Sequence, residues 1–243
     1  MPELPPDLLG ALRGAERVVA LTGSGVSAES GVPTFREAQT GLWERFDPLE
    51  LATPEAFARD PRLVWDWYEW RRRLVEGAEP NQGHLALAEL ERRLPNLTLV
   101  TQNVDGLHQR AGSGEVVELH GNILRSRCSW EGTVIDDYEP GEAPPPCPNC
   151  GAPLRPDVVW FGEALPAEAF EAASEAARAC DLLLSAGTSS LVYPAAALPF
   201  DALERGAVLV EVNPDETPLS AHADYVLRGP AGEVLPELVA ALQ

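Results

Sequence analysis

A chain of 243 residues is long enough for one large α/β domain with a smaller insertion, and an apolar fraction of 45% against 23% charged excludes a disordered majority. The formal charge of −20, with all 18 basic side chains supplied by arginine, excludes direct binding to a nucleic-acid backbone and suits a basic peptide partner better. The opening MPELPPDLLGALRGAE has neither the basic start nor the apolar run of a secretory signal, and no later stretch reaches membrane-spanning length, so a cytoplasmic protein that does not enter membranes is expected.

In chain order, the first predicted strand is 18–22, a β-branched and leucine-rich run that ends in a glycine loop. An aromatic, helical stretch follows over 35–80, and helical periodicity resumes at 85–94 before the strands 97–101 and 116–119. Residues 121–156 are rich in Cys, Pro and Gly. Beyond them, a strand at 158–161, a helix at 167–179, a strand at 181–186, a helix at 195–204, strands at 207–212 and 223–227 and a helix at 234–242 restore the alternation. Alternating strands and helices predict a doubly wound parallel sheet of Rossmann type. The two interruptions predict a smaller lobe: residues 1–34, 81–120 and 157–243 are assigned to the nucleotide-binding domain, 35–80 to a helical insertion and 121–156 to a zinc-ribbon-like insertion. A cleft between the lobes is the expected ligand site.

The loop after the first strand carries Gly23, Gly25 and Ala28 in the G-x-G-x-x-A spacing of a dinucleotide fingerprint, in which small residues let backbone amides close on a pyrophosphate at a helix N-terminus. A tight turn before a helix accounts for the same spacing. A dehydrogenase places a second strand ending in Asp or Glu about twenty residues further on. Here that place reads GLWERF, so ribose contacts must lie elsewhere and hydride transfer loses ground.

The run TGSGVSAESGVPTFR over 22–36, TQNVDGLHQRAGS over 101–113 and the pair His120 and Gly121 closely resemble the sirtuin family. The likeness extends through RPDVVWFGE at 155–163, Gly187 to Ser189, and 211–214. The resemblance implies NAD as co-substrate, in a pocket lined by Gly23, Gly25, Ala28, Phe35, Arg36, Gln102, Asn103 and Asp105, with Gly187, Ser189 and Asn213 toward the adenosine half. Ser24 stands where the family usually has alanine, and its small hydroxyl should leave binding intact.

The implied partners are acyl-lysine proteins or peptides, whose acyl oxygen attacks C1′ of the nicotinamide ribose to give nicotinamide, free lysine and O-acyl-ADP-ribose. His120 titrates near neutrality and suits a general base for the ribose hydroxyls. Asn103 is expected to fix the ribose and a water, and Asp105 and Gln102 to sit beside the carboxamide. His84, His108 and His222 read as structural. Val159, Phe161 and Gly162 on one side and Leu191, Val192 and Tyr193 on the other resemble the edges between which a substrate peptide inserts as a strand.

Tyr68 and Arg71, three apart and therefore on one helical face, resemble the Y-x-x-R signature of class III sirtuins, the bacterial desuccinylase and demalonylase type. A guanidinium fork and a phenol can hold a terminal carboxylate, which implies succinyl or malonyl groups besides acetyl. Ala52 matches a small pocket-lining position. The same residues also read as the amphipathic face of an aromatic helix, with Arg71, Arg72 and Arg73 solvated together.

Cys128, Cys147 and Cys150 have the separation of a structural zinc ribbon, but Glu131 stands where a fourth cysteine is expected. Cys180, between a helix and an apolar strand, reads as a core residue. Two other functions stay open on these residues: mono-ADP-ribosyl transfer, and a non-catalytic module that binds NAD or ADP-ribose.

Overall fold

The computed structural model describes residues 4–33, 47, 51–135 and 143–242. Six strands form one parallel sheet in the order β3-β2-β1-β7-β8-β9: β1 (Val18–Thr22), β2 (Leu97–Thr101), β3 (Val116–Glu118), β7 (Leu182–Ala186), β8 (Val208–Val212) and β9 (Tyr225–Leu227). β1 and β7 are buried along their whole length, because helices cover both faces. Alternate side chains divide between those faces. Val18, Ala20, Leu182 and Leu184 pack with Leu8 and Leu12 of α1 (Pro6–Gly14), Leu87 and Leu90 of α4 (Gln82–Arg93) and Leu235 and Leu238 of α8 (Ala231–Ala241). Val19, Leu21 and Leu183 pack with Ala173 and Ala177 of α6 (Ala167–Ala179) and with Leu198 and Ala202 of α7 (Leu198–Glu204). The predicted doubly wound sheet is the observed one.

A second sheet, β5-β4-β6, is antiparallel and consists of β4 (Gly121–Cys128), β5 (Val134–Ile135) and β6 (Leu154–Val158). The helical insertion contributes α2 (Pro54–Arg59) and α3 (Pro61–Gly77), each started by a side-chain cap: Thr53 Oγ1 accepts from Ala56 N at 3.1 Å and Asp60 Oδ1 from Leu63 N at 3.0 Å. Val64, Trp67 and Tyr68 of α3 pack against Ile123 of β4 and Val158 of β6, so these helices join the small sheet in a core of their own.

Three predicted elements differ. The glycine loop opens no α-helix; two 3-10 turns, Ser24–Val26 and Ala28–Ser30, follow β1, because Asn81 Nδ2 takes the Val26 carbonyl at 2.8 Å and Gly31, at φ 76°, ends the second turn. The strand expected at 158–161 is β6, which starts earlier and ends at Val158; beyond it Val159 N bonds His120 O and Phe161 N bonds Ala52 O, both at 2.9 Å, carrying the chain off the sheet toward α2. The helix expected at 195–204 is a 3-10 turn, Ala195–Ala197, before α7, whose first turn holds Pro199. α1, which the sequence left open, forms because Pro6 sits at its first position and Leu8 and Leu12 share a buried face.

The chain runs outward through β2 and β3, then returns to place β7 against the other side of β1. The loops after β1 and β7 therefore diverge at a topological switch point, where an open α/β sheet has its ligand crevice.

Candidate active site

The loops after β1 and β7 touch backbone to backbone. Gly25 N donates to Gly187 O at 2.9 Å, and a Cβ on Gly25 would lie 2.8 Å from Gly187 Cα. Gly187 itself has φ 61°, and a Cβ there would meet Val26 N at 2.5 Å. The fingerprint glycines are thus required by the packing of these two loops, before any ligand is considered. Ser24, Ala28 and Ser189 are exposed beside this contact, and Asn213, after β8, is buried with its Nδ2 donating to Thr188 O at 2.7 Å. Phe35 and Arg36 lie outside the described residues.

Below the loop is a buried polar network that the sequence did not reveal. Ser27 Oγ donates to Asp105 Oδ2 at 2.6 Å, and Asn103 Nδ2 donates to Gly23 O at 3.1 Å and Ser27 Oγ at 3.2 Å. His84 Nδ1 accepts from Asn81 N at 3.3 Å, which makes Nε2 the protonated nitrogen, donating to Ser27 Oγ at 3.3 Å. Thr22 Oγ1 donates to Thr101 Oγ1 at 2.8 Å, so His108 Nε2–H, on α5 (Leu107–Arg110), donates to Thr22 at 2.9 Å and its Nδ1 is a buried acceptor with no hydrogen-bond partner among the described residues. The two imidazole rings lie 4.9 Å apart. Burial pushes the pKa of His108 down to about 3, with His84 adding to it, and burial also lowers that of His84 against the pull of Asp105. Both histidines are neutral. A legible signal existed for one of them: Asn81 and His84 have the N-cap and N3 spacing of a capping box.

His120 follows β3, and Gly121 after it has φ 78° with room for no side chain, since a Cβ would stand 2.1 Å from Asp157 O. His120 Nδ1 lies 2.9 Å from Gln102 O. A carbonyl only accepts, so Nδ1 carries the proton and Nε2 keeps its lone pair. Burial lowers the His120 pKa, partly opposed by that hydrogen bond. The imidazole is a neutral base with its tautomer fixed.

The three consecutive arginines of α3 have three environments. Arg73 is exposed; Arg72 is buried and pinned to β4 through Nε to Ile123 O at 2.8 Å; Arg71 is partly buried, 5.1 Å over the Trp67 ring, beside Tyr68. Burial lowers the Arg71 pKa, opposed by Tyr68, while burial raises that of Tyr68 to about 12. Trp160 Nε1 donates to Tyr68 Oη at 3.0 Å, so the phenol accepts there and has its own proton to donate. Ala52 is buried nearby, bonded to Phe161 N. Phe161, Leu191, Val192 and Tyr193 are exposed apolar side chains, while Val159 is partly buried and Gly162 exposed.

The ligand atoms of Cys128, Glu131, Cys147 and Cys150 all lie within 4.8 Å of one another. Glu131 N also donates to Cys128 Sγ at 3.3 Å. Burial would raise the Cys128 thiol, but the N–H groups of Glu131 and Trp130 and the neighbouring thiols hold it below its ordinary value. Three thiolates and a carboxylate fit a closed four-ligand zinc site of structural type. Cys180 is buried, with Sγ donating to Ala177 O at 3.2 Å, as a core residue.

Comparison with known proteins bears on the whole chain. The NAD-dependent protein deacylase of Methylococcus capsulatus is 53% identical over 250 residues, covering 99% of this chain and 98% of that protein. A Sir2 homologue solved in complex with NAD superposes with a TM-score of 0.93 at 49% identity, over 99% of this chain and 94% of that one. Sir2 bound to an acetylated peptide superposes with a TM-score of 0.87 at 30% identity, over 98% of each chain. The Sir2 family model matches residues 23–194, from the first glycine of the loop after β1 to the turn before α7, and by that match and these relatives the chain belongs to the Sir2 family.

Proposed function

We propose that this sirtuin is an NAD-dependent protein-lysine deacylase that accepts acidic acyl groups, succinyl or malonyl, as well as acetyl. The deacylase part follows from full-length likeness to NAD-dependent protein deacylases and to Sir2 proteins solved with NAD and with acetylated peptide. NAD is the co-substrate, and its C1′–nicotinamide bond is the one broken. His120 takes the ribose hydroxyl proton at Nε2, the nitrogen that the Gln102 carbonyl leaves unprotonated. Both amide hydrogens of Asn103 are held by Gly23 O and Ser27 Oγ, so what it offers a ribose hydroxyl or water is its acceptor oxygen. Asp105, fixed by Ser27 and by Leu107 N at 2.9 Å, accepts from a carboxamide N–H in this reading, and Gln102 flanks the same carboxamide.

A substrate peptide lies along Val159, Phe161 and Gly162, opposite Leu191 to Tyr193. The N–H groups of Val159 and Phe161 are committed to His120 O and Ala52 O, so at these two residues the edge pairs with a peptide through its carbonyls. The acidic-acyl reading is carried by one observation: a buried phenol with a donor proton sits beside the partly buried guanidinium of Arg71 on one face of α3. Both groups are donors, and a terminal carboxylate accepts from both.

The deciding experiment is NAD-dependent nicotinamide release from matched acetyl-lysine and succinyl-lysine peptides, with mass detection of O-acyl-ADP-ribose. Higher kcat/KM on the succinyl peptide is expected. Turnover of acetyl alone removes the acidic pocket and keeps the deacylase; labelled protein without acyl turnover points to ADP-ribosyl transfer.

A further inference from the structure

The residue that fixes Tyr68 belongs to the peptide edge and not to the acyl pocket's own helix. Trp160 is 2% exposed, and its indole N–H can only donate, so its bond to Tyr68 Oη forces the phenol to accept at that point. The phenol hydrogen is thereby directed away from Trp160. The indole is itself held on two sides. Arg155 lies 3.3 Å over the ring, and the same guanidinium forks onto Glu163, with Nη1 to Oε1 at 2.5 Å and Nη2 to Oε2 at 2.9 Å. Glu163 Oε2 also accepts the Trp160 backbone N–H at 2.8 Å. Glu163, Arg155, Trp160 and Tyr68 thus form one continuous chain of contacts from the segment along which a peptide would lie to the base of the acyl pocket.

We propose that Trp160 is a positioning residue for acyl selectivity: its indole N–H holds the Tyr68 hydroxyl as a donor toward an acyl carboxylate, and Arg155 and Glu163 hold Trp160. The proposal rests on the acidic-acyl reading of the same pocket. An acetyl group has no carboxylate for the phenol to meet, so the contribution of Trp160 is confined to acidic acyl chains and is felt in binding of the acylated substrate.

Trp160→Phe keeps an aromatic ring and removes the indole N–H together with the volume of one ring, and of these two losses only that of the donor is expected to distinguish the acyl groups. The succinyl-to-acetyl ratio of kcat/KM is expected to fall about 5-fold, the scale of one neutral hydrogen bond, through KM for the succinyl peptide with little change in its kcat. Introduced into Tyr68→Phe, the same substitution is expected to add no further loss of selectivity, because the group it positions is gone. An equal fall on both acyl groups, or the same selective loss without the Tyr68 hydroxyl, overturns the proposal and leaves Trp160 a packing residue. If Tyr68→Phe and Arg71→Met collapse the ratio and Trp160→Phe does not, only this proposal falls; if neither of the first two changes it, the acidic-acyl reading falls and takes the proposal with it. Should Trp160→Phe not fold, the indole N–H resonance of Trp160 in the wild-type protein decides: it is expected to shift on binding succinyl-lysine peptide and much less on binding acetyl-lysine peptide, and equal shifts overturn the proposal.

Discussion

At the scale of single residues, the polar groups of the site are constrained by their hydrogen bonds to one protonation pattern. His120 is the clearest case, since the Gln102 carbonyl fixes its tautomer and burial lowers its pKa. A base with a lowered pKa remains unprotonated at lower pH, so the acid limb of kcat/KM should fall below the ordinary imidazole value of about 6.5. His120→Ala should reduce kcat by about 10²–10⁴-fold, the usual contribution of a general base, while NAD affinity measured by calorimetry stays within a few-fold. Full turnover in that variant would remove His120 from the mechanism. For acyl choice, Arg71→Met should raise KM for succinyl peptide by about 10-fold or more and leave acetyl KM nearly unchanged, since a charge-assisted bond is worth about 1.5–3 kcal/mol. His120, Asn103, Asp105 and the Tyr68 and Arg71 pair were singled out through the sirtuin resemblance, since by residue type and spacing alone a lone histidine, or a tyrosine and an arginine three apart on a helix, reads equally well as structure. Ser27, His84 and His108 were not singled out, because a serine in a small-residue loop and two histidines on separate helices acquire meaning only when the fold stacks them.

At the scale of elements, the glycine loop and the cysteine ribbon illustrate opposite kinds of inference. The fingerprint spacing correctly located the turn after β1, yet the expected helix is two 3-10 turns, because Asn81, brought in from the cap of α4, takes the carbonyl that a helix would use. The ribbon was legible down to the anomaly at Glu131, and the fold brings that carboxylate to the three thiols. Protein purified without chelator should therefore contain one zinc per chain by elemental analysis. Glu131→Cys should hold the ion more tightly in competition with a colorimetric chelator, and Glu131→Ala more weakly. Zinc-free protein with an intact small sheet would show that β4, β5 and β6 need no metal.

At the scale of the whole molecule, two buried neutral histidines beneath the switch point tie stability to pH. His108 has a folded-state pKa of about 3 against about 6.5 unfolded, so its unfolded form binds the proton first as pH falls. Its stabilisation is complete above pH 6.5 and is lost progressively from there down to about pH 3, at about 1.4 kcal/mol per pH unit. Urea midpoints should accordingly fall between pH 7.5 and pH 5.5, above the carboxylate range, and fall less in His108→Asn; an unchanged slope in that variant would assign the effect elsewhere. No helix among the described residues is long and apolar enough to cross a membrane. The sequence by itself determined the alternation of strands and helices, the two interruptions and the motif residues, because periodicity, turn chemistry and ligand spacing are local properties of the chain. Only the tertiary structure decided that β1 and β7 are neighbours, that their loops touch through Gly25 and Gly187, and that Trp160, two residues beyond β6, bonds Tyr68 of α3. Those contacts join residues about 90 to 160 positions apart, and their energy depends on distances that no local pattern encodes.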